Sequence, residues 1–169
     1  MSAVSTYILA GLGYRHSEGI TDDLRDRLKE LGARVLVGSH SEWRDMLLDI
    51  QRRPSSEEIV LIGHSLGGSV LPQIARLAGR TVAAIYGFDP ASNVAANISE
   101  YGLTTVPQNV KLAKAFYIPG GGLGGGTYVA ENQTTIVRNV AVSTGHLMVD
   151  NEIERLLGIQ EFHERLIEA

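Results

Sequence analysis

The fold of this chain is indicated most directly by residues 59–68, which read Ile-Val-Leu-Ile-Gly-His-Ser-Leu-Gly-Gly. Four apolar residues predict a buried strand, and apolar residues at helical spacing follow, so Ser65 lies on the turn between strand and helix. Glycines two residues to either side of Ser65 let neighbouring backbone pass without a clash at a Cβ atom. The stretch therefore predicts a sharp strand-turn-helix with a serine hydroxyl at its apex.

The segment after Ser65 supports this interpretation against the alternative of an ordinary surface turn, which a short Gly-x-Ser-x-Gly pattern also allows. Its apolar residues fall on one helical stripe: Leu66, Val70, Ile74, Leu77 and Ala78. Pro72 lies inside the predicted helix, where it removes one backbone hydrogen bond and can bend the axis.

The composition is that of an ordinary globular domain. The chain has 169 residues, of which 44% are hydrophobic and 20% charged. This size suits one hydrophobic core, so we expect a single domain over residues 1–169. The net charge is −4 and the 15 basic residues are scattered, which argues against nucleic acid or an anionic membrane surface as a partner. The oligomeric state stays open.

We expect neither a metal site nor a cofactor. The chain has no cysteine, which excludes disulfides, thiolate zinc sites and a cysteine nucleophile. Its five histidines lack the spacing of zinc enzymes. The N-terminus lacks the features of a signal peptide, and no apolar stretch approaches the ~18 residues of a membrane-spanning helix. We therefore expect a cytoplasmic protein without an integral membrane segment.

Six short runs are rich in strand-forming residues, at 7–10, 34–37, 59–62, 82–86, 115–118 and 135–142. The first five are apolar almost without alternation, which is typical of strands buried on both faces of a parallel sheet. The sixth alternates more and is expected at an edge. Strands that alternate with helical segments favour an α/β fold, with a doubly wound, mainly parallel sheet of about six strands and helices on both faces.

Three further segments are predicted to be helical. The first covers residues 21–32, with an acidic start and a terminal glycine. The second begins at a capping box formed by Ser39 and Glu42. The third covers residues 150–169 and is expected to be interrupted at Gly158.

Residues 120–126 are all glycine except Leu123, so they predict neither strand nor helix. One interpretation is a flexible surface connector. The other is a loop beside the functional site, where glycine lets the backbone approach a ligand closely.

A serine nucleophile needs a general base, because its hydroxyl is scarcely ionised at neutral pH, and the base needs an orienting acid. Where the serine lies on a turn of this kind, the chain order is serine, acid, histidine, with the last two on loops after later strands. His146 fits, because it lies between the sixth strand and the last helix; a surface or capping histidine is the alternative. His64 is expected to point away from Ser65, and His163 lies within the last helix.

Asp89 is the candidate acid, since it follows the fourth strand directly in the segment Gly-Phe-Asp-Pro-Ala at 87–91. An aspartate before a proline is also a good helix cap, so that interpretation stays open. Glu131, on the loop before the sixth strand, is the reserve candidate.

The segment Gly63–Gly67, Asp89 and His146, in this order on alternating strands and helices, resemble the α/β-hydrolase superfamily across essentially the whole chain. Residues 87–91 closely resemble the Gly-Leu-Asp-Pro-Ala segment that carries the acid in lipases of the pancreatic type. The chain departs from the family in lacking its usual first two strands, a cap-domain insertion and the His-Gly motif after the first parallel strand, where Ala10–Gly13 stands instead. The resemblance implies a minimal, capless fold of the lipase or esterase type.

This resemblance implies a triad of Ser65 as nucleophile, His146 as base and Asp89 as acid, with an oxyanion hole of the backbone N–H groups of Leu66 and Leu12. The expected activity is hydrolysis of carboxylic esters through an acyl-enzyme on Ser65, with a small-molecule ester or acyl compound as substrate. A thioesterase or acyltransferase would use the same three residues.

Two other classes remain open. A hydrolase-like protein without catalysis would bind a ligand and not turn it over, because a fold does not imply its function. A nucleotide-binding protein would use Gly11 and Gly13, but its third glycine is displaced to Gly19 and no ribose-binding acid follows the second strand. For the hydrolase, residues 91–110 are expected to form a small cover over an apolar pocket.

Overall fold

The computed structural model describes residues 2–12, 19–91, 104–120, 124–149 and 153–169. Gly13 and His16 lie outside these ranges. Residues 92–103 also lie outside them, and they form most of the segment predicted to cover a pocket. The strands are, in chain order, β1 (Val4–Ala10), β2 (Arg34–Ser39), β3 (Glu58–His64), β4 (Val82–Phe88), β5 (Thr105–Val106), β6 (Val110–Tyr117), β7 (Val129–Ala130) and β8 (Ile136–Ala141). The helices are α1 (Leu24–Glu30), α2 (Trp43–Arg52), α3 (Leu66–Leu77) and α4 (Ile153–Glu168).

Six of these strands form one sheet in the order β2-β1-β3-β4-β6-β8, and every neighbouring pair is parallel. The chain leaves β1 toward β2 and then crosses back to β3, so the direction of winding changes between β1 and β3. In open parallel sheets the crevice at such a switch point, at the carboxyl ends of the strands, is where ligands bind. The predicted doubly wound parallel sheet is confirmed, and β8 lies at its edge as predicted.

Helices cover both faces of the sheet, because the side chains of the buried strands alternate between two hydrophobic cores. One core joins Tyr7 and Leu9 of β1 to the apolar sides of α2 and α3. The other joins Ile8 of the same strand to α1 and α4. The near absence of polar residues in the central strands follows from this double coverage.

Local signals placed the start of α2 and the end of α1 correctly, whereas α1 begins at Leu24, after a π-helical turn over Gly19–Asp23, and not at residue 21. The capping box of Ser39 and Glu42 is present and leads through a short 3-10 turn into α2. Gly32 adopts a positive φ of 92° just after α1, where glycine is favoured because it has no Cβ. Pro72 lies inside α3, which continues through it.

Three features differ from the sequence-based expectations. The interruption at Gly158 is wrong: α4 is continuous, because buried Leu156 and Ile159 hold it against the sheet and a single exposed glycine costs only about 1 kcal/mol. Strand β6 begins at Val110 rather than at residue 115, since its first half alternates buried residues with lysines. The small parallel pair β5 and β7 was not predicted, because two-residue strands carry no periodic signal. None of the helices in the described part of the chain has the length and hydrophobicity that a bilayer span requires.

Candidate active site

Ser65 lies between β3 and α3 in a strained backbone conformation, with φ 54° and ψ −121°. A residue with a side chain in such a region costs on the order of 1–3 kcal/mol and persists only where its surroundings hold it. Here the Ser65 N–H donates to the Phe88 carbonyl at 2.9 Å, and the Ser65 carbonyl accepts from the N–H groups of Ser69 and Ala91 at 3.1 and 3.0 Å. Hydrogen bonds from two directions therefore hold the predicted sharp turn.

The flanking glycines are required by close backbone contacts. A Cβ atom at Gly63 would lie 2.4 Å from the carbonyl carbon of Gly67, and one at Gly67 would lie 2.0 Å from the carbonyl oxygen of Leu9. Both distances are far below any van der Waals contact, so only glycine lets α3 begin directly against β1 and β3.

The loop after β1 touches Ser65. A Cβ atom at Gly11 would lie 2.7 Å from the Ser65 Cβ and 3.3 Å from its Oγ. His40 packs against the same loop: its burial lowers the pKa of the imidazole, opposed by hydrogen bonds with the backbone of Gly11 and Ala10. The switch point between β1 and β3 thus brings this loop against the serine hydroxyl.

Asp89 follows β4 directly and is fully buried, with a positive φ of 42°. Its Oδ1 accepts hydrogen bonds from the N–H groups of Ile118 at 2.9 Å and Gly125 at 2.7 Å, and its Oδ2 lies 2.5 Å from Nδ1 of His146. Burial alone would raise the pKa of this carboxyl, but the hydrogen bonds from His146 and the two backbone N–H groups outweigh it and lower the pKa. The carboxylate is therefore ionised at neutral pH.

The helix-cap interpretation of Asp89 finds no support at Ala91. A cap residue accepts from backbone N–H groups two or three positions ahead. The Ala91 N–H, which lies two positions ahead, donates instead to the Ser65 carbonyl. The carboxylate of Asp89 points toward His146 and the glycine-containing loop.

That loop contains the end of the glycine run, and its position favours the second of the two interpretations given above. A Cβ atom at Gly124 would lie 1.9 Å from Oδ2 of Asp89. Gly125 donates its N–H to Oδ1 and has a positive φ of 84°. Glycine is needed here because the backbone itself solvates the carboxylate.

His146 begins the turn after β8, and its side chain is 25% exposed while Asp89 beneath it is buried. His146 makes a second contact, with His64, that no local pattern in the sequence indicates. The His64 ring lies 4.9 Å from the His146 ring, centroid to centroid, and its Nε2 donates to the His146 carbonyl at 2.8 Å. His64 is expected from the sequence to point away from Ser65, and the structure adds a contact of its ring with the candidate base.

Glu131 is not brought to His146, since its carboxylate forms an ion pair with Arg76 of α3 at 2.7 Å. His163 lies buried inside α4, where its Nε2 is 2.7 Å from the Thr6 hydroxyl. Among the described residues, no group of three or more histidine and carboxylate side chains is placed to hold a metal ion.

Comparison of the sequence with family models and with curated proteins finds no match. Comparison of the structure does find similar folds. A protein assigned to the YdeN-like hydrolases of Pectobacterium atrosepticum superposes with a TM-score of 0.55 at 16% identity, over 97% of this chain and 92% of that one. The chain has an α/β-hydrolase-like fold.

Two further structures share this fold. A protein assigned to the α/β hydrolases of Xanthomonas campestris pv. campestris gives a TM-score of 0.53 at 12% identity, over 96% of this chain and 98% of that one. The thioesterase domain SrfTE, which cyclises the lipopeptide antibiotic surfactin, gives 0.52 at 14% identity, over 96% and 91%. The structural neighbours are thus hydrolases of the α/β superfamily and include a thioesterase.

Within the α/β-hydrolase-like fold, the two predicted oxyanion donors, the N–H groups of Leu66 and Leu12, follow Ser65 and Gly11 along the chain. Leu66 is the first residue of α3, where a backbone N–H has no partner inside the helix. Leu12 follows Gly11 on the loop after β1, and its side chain is 71% exposed. Their role as donors stays a prediction.

Proposed function

We propose that this protein is a serine hydrolase that cleaves carboxylic esters through an acyl-enzyme on Ser65, with His146 as general base and Asp89 as the orienting acid. The observation that carries the proposal is the contact between buried Asp89 and part-exposed His146, at the same end of the sheet as the strained turn of Ser65. A buried aspartate that orients a part-exposed histidine is the arrangement a serine nucleophile requires.

In the proposed reaction, Nε2 of His146 accepts the proton of the Ser65 hydroxyl as Oγ bonds to the substrate carbonyl carbon. The ionised Asp89 keeps the ring proton on Nδ1 and stabilises the imidazolium that forms. The negative charge on the carbonyl oxygen is met by the N–H groups of Leu66 and Leu12. Collapse of this intermediate breaks the ester C–O bond, and His146 returns its proton to the leaving alcohol.

The acyl-enzyme is then hydrolysed by the same groups. His146 takes a proton from water, the hydroxide oxygen bonds to the acyl carbon, and the bond to Ser65 breaks as His146 returns the proton to Oγ. The products are a carboxylic acid and an alcohol, and the protein ends as it began.

A thioester is the second candidate substrate, because one structural neighbour is a thioesterase domain. The three side chains would perform the same steps with a thiol as the leaving group. The ratio of kcat/KM for an oxyester and a thioester with the same acyl chain distinguishes the two activities.

The test combines fluorophosphonate labelling with hydrolysis of short and medium p-nitrophenyl esters. The parent protein should be labelled and active, and Ser65→Ala and His146→Ala, shown by circular dichroism to be folded, should lose both properties. Ser55→Ala is the matched control, because Ser55 lies exposed on a turn before β3. A folded parent that neither takes the label nor hydrolyses any ester or thioester would contradict the proposal and leave a ligand-binding protein.

A further inference from the structure

A groove of about 480 Å³ lies on the α4 side of the sheet, between α4 and the outer strands β6 and β8. Its floor is apolar and is formed by Leu112, Phe116, Val140, Ile159 and Phe162. The groove has the volume of a small-molecule site. None of its lining residues belongs to the cluster of Ser65, Asp89 and His146.

The rim of this groove is basic, although the protein as a whole is acidic. Four of the 15 basic residues line it, and among the described residues Glu154 is the one carboxylate in the lining. Lys114 and Arg155 both lie over the Phe116 ring, 4.9 and 5.5 Å from its centroid, and the other two are Arg138 and Arg165. Among the described residues, no carboxylate lies within ion-pair distance of Lys114, Arg138 or Arg165.

Cations that lie close together repel one another. Among the described residues, no carboxylate pairs with Lys114, with Arg138 or with Arg165. An anion bound among them would remove that repulsion, and its guanidinium partners would offer paired N–H donors. The apolar floor beneath the rim would hold a hydrocarbon body at the same time. The basic side chains and the apolar floor together suit a ligand that has an anionic head and an apolar body.

We propose that this groove binds a small anionic amphiphile, with a carboxylate or phosphate head between the basic side chains and an apolar body against Phe116 and Phe162. The site is separate from the candidate active site, and the proposal does not depend on the activity proposed above. Both head groups present the oxygen acceptors that arginine and lysine recognise, so the test compares them directly.

The test measures binding of decanoate, decyl phosphate and uncharged decanol to the Ser65→Ala protein, by calorimetry and by amide chemical shifts. We expect saturable binding of one or both anions, shifts on β8 and α4, and at least tenfold weaker binding of decanol. The double variant Arg138→Gln, Arg165→Gln should weaken anion binding at least tenfold. The control Lys29→Gln, Arg52→Gln removes the same charge from exposed positions of α1 and α2 and should change it less than twofold.

Three results would overturn the proposal. The first is that neither anion binds, and the second is that decanol binds as tightly as the anions. The third is that the anions bind with chemical shifts confined to the loops around residue 65 and with undiminished affinity in the double variant. Equal weakening of anion binding by the double variant and by the control pair also counts against it, because the effect would then come from net charge and not from the groove.

A second observation independently concerns His64. This side chain is 1% exposed and holds His146 at two points, by ring contact and by the 2.8 Å hydrogen bond to its carbonyl oxygen. Because His64 ends β3, it links the loop of the base to the rigid strand that presents Ser65. We infer that His64 is a positioning residue that sets the direction of the His146 ring, an inference that rests on the proposed function.

The test compares His64→Gln, which keeps an N–H donor, with His64→Leu, which does not. The Leu variant should lower kcat at least tenfold with KM within threefold of the parent, and Gln should recover most of this loss. Equal kcat in Leu and parent, or an equal loss in Leu and Gln variants with parent-like stability, would overturn the inference. Labelling of the parent at Ser65 is measured alongside, so that an inactive parent counts against the proposed function instead.

Discussion

Replacing Asp89 by asparagine tests the proposed triad most directly, because the variant removes the charge and keeps the shape. Oδ1 of Asp89 accepts two backbone N–H groups, from Ile118 and Gly125. An amide NH₂ in that place would face two donors, so the amide oxygen must take the Oδ1 position. The NH₂ group then faces Nδ1 of His146 and makes that nitrogen an acceptor.

This arrangement moves the ring proton to Nε2, the atom that has to accept the proton of Ser65. A base held in the wrong tautomer lowers kcat by roughly 10⁴-fold in serine hydrolases of this mechanism, which corresponds to about 5.4 kcal/mol of activation free energy. Substrate contacts are unchanged, so KM should stay within about threefold. The hydrogen bonds to residue 89 then have a neutral acceptor in place of a charged one. This change should lower the free energy of unfolding by only about 2 kcal/mol.

The assay is steady-state hydrolysis of p-nitrophenyl butyrate by parent, Asp89→Asn and Glu131→Gln, with urea unfolding to show that each variant is folded. Glu131→Gln is the control, because that carboxylate pairs with Arg76 at the surface and should leave kcat within twofold. A folded Asp89→Asn protein that keeps more than a tenth of the parental kcat would contradict the assignment of Asp89 as the acid. If Glu131→Gln caused the large loss instead, Glu131 would be the acid.

Three further expectations concern stability, and one concerns pH. Gly67→Ala should yield no soluble folded protein, because its Cβ would lie 2.0 Å from a backbone oxygen of β1, whereas Gly158→Ala should raise the unfolding free energy by about 0.5–1 kcal/mol in urea titrations. Tyr128→Phe should lower it by about 1–2 kcal/mol, since the buried hydroxyl donates to the Gly68 carbonyl at 2.6 Å. The pKa of Asp89 is lower in the folded protein than in the unfolded chain, so its ionised carboxylate stabilises the fold at a pH above the ordinary aspartate pKa. This stabilisation is lost as the pH falls from the ordinary pKa through the lowered one. Between about pH 6 and pH 3, the urea midpoint of the parent should therefore fall further than that of Asp89→Asn.

The sequence predicted the elements whose causes are local. The strand-turn-helix around Ser65, the capping box of Ser39 and Glu42 and the edge position of β8 were all readable, because each depends on residues within a few positions of one another. The interruption at Gly158 was wrong for a related reason. A glycine lowers helix propensity locally, but burial of its neighbours in the tertiary core overrides that cost.

For the site, the residue types and their order along the chain are readable from the sequence alone. The sequence left open whether Asp89 is the acid or a helix cap, with Glu131 as the reserve acid. The contacts that each of these carboxylates makes are visible in the tertiary structure alone. Asp89 and His146 are separated by 57 positions along the chain, and their contact depends on the order of β4, β6 and β8 in the sheet.

The same holds for the contact of His64 with His146, for the Gly125 N–H that donates to the Asp89 carboxylate and for the basic groove beside α4. These contacts join residues from strands and loops far apart in sequence, and no local periodicity or propensity encodes such distances. Burial of two hydrophobic cores sets the strand order, the strand order brings the loop ends together, and the chemistry of the site follows from that assembly.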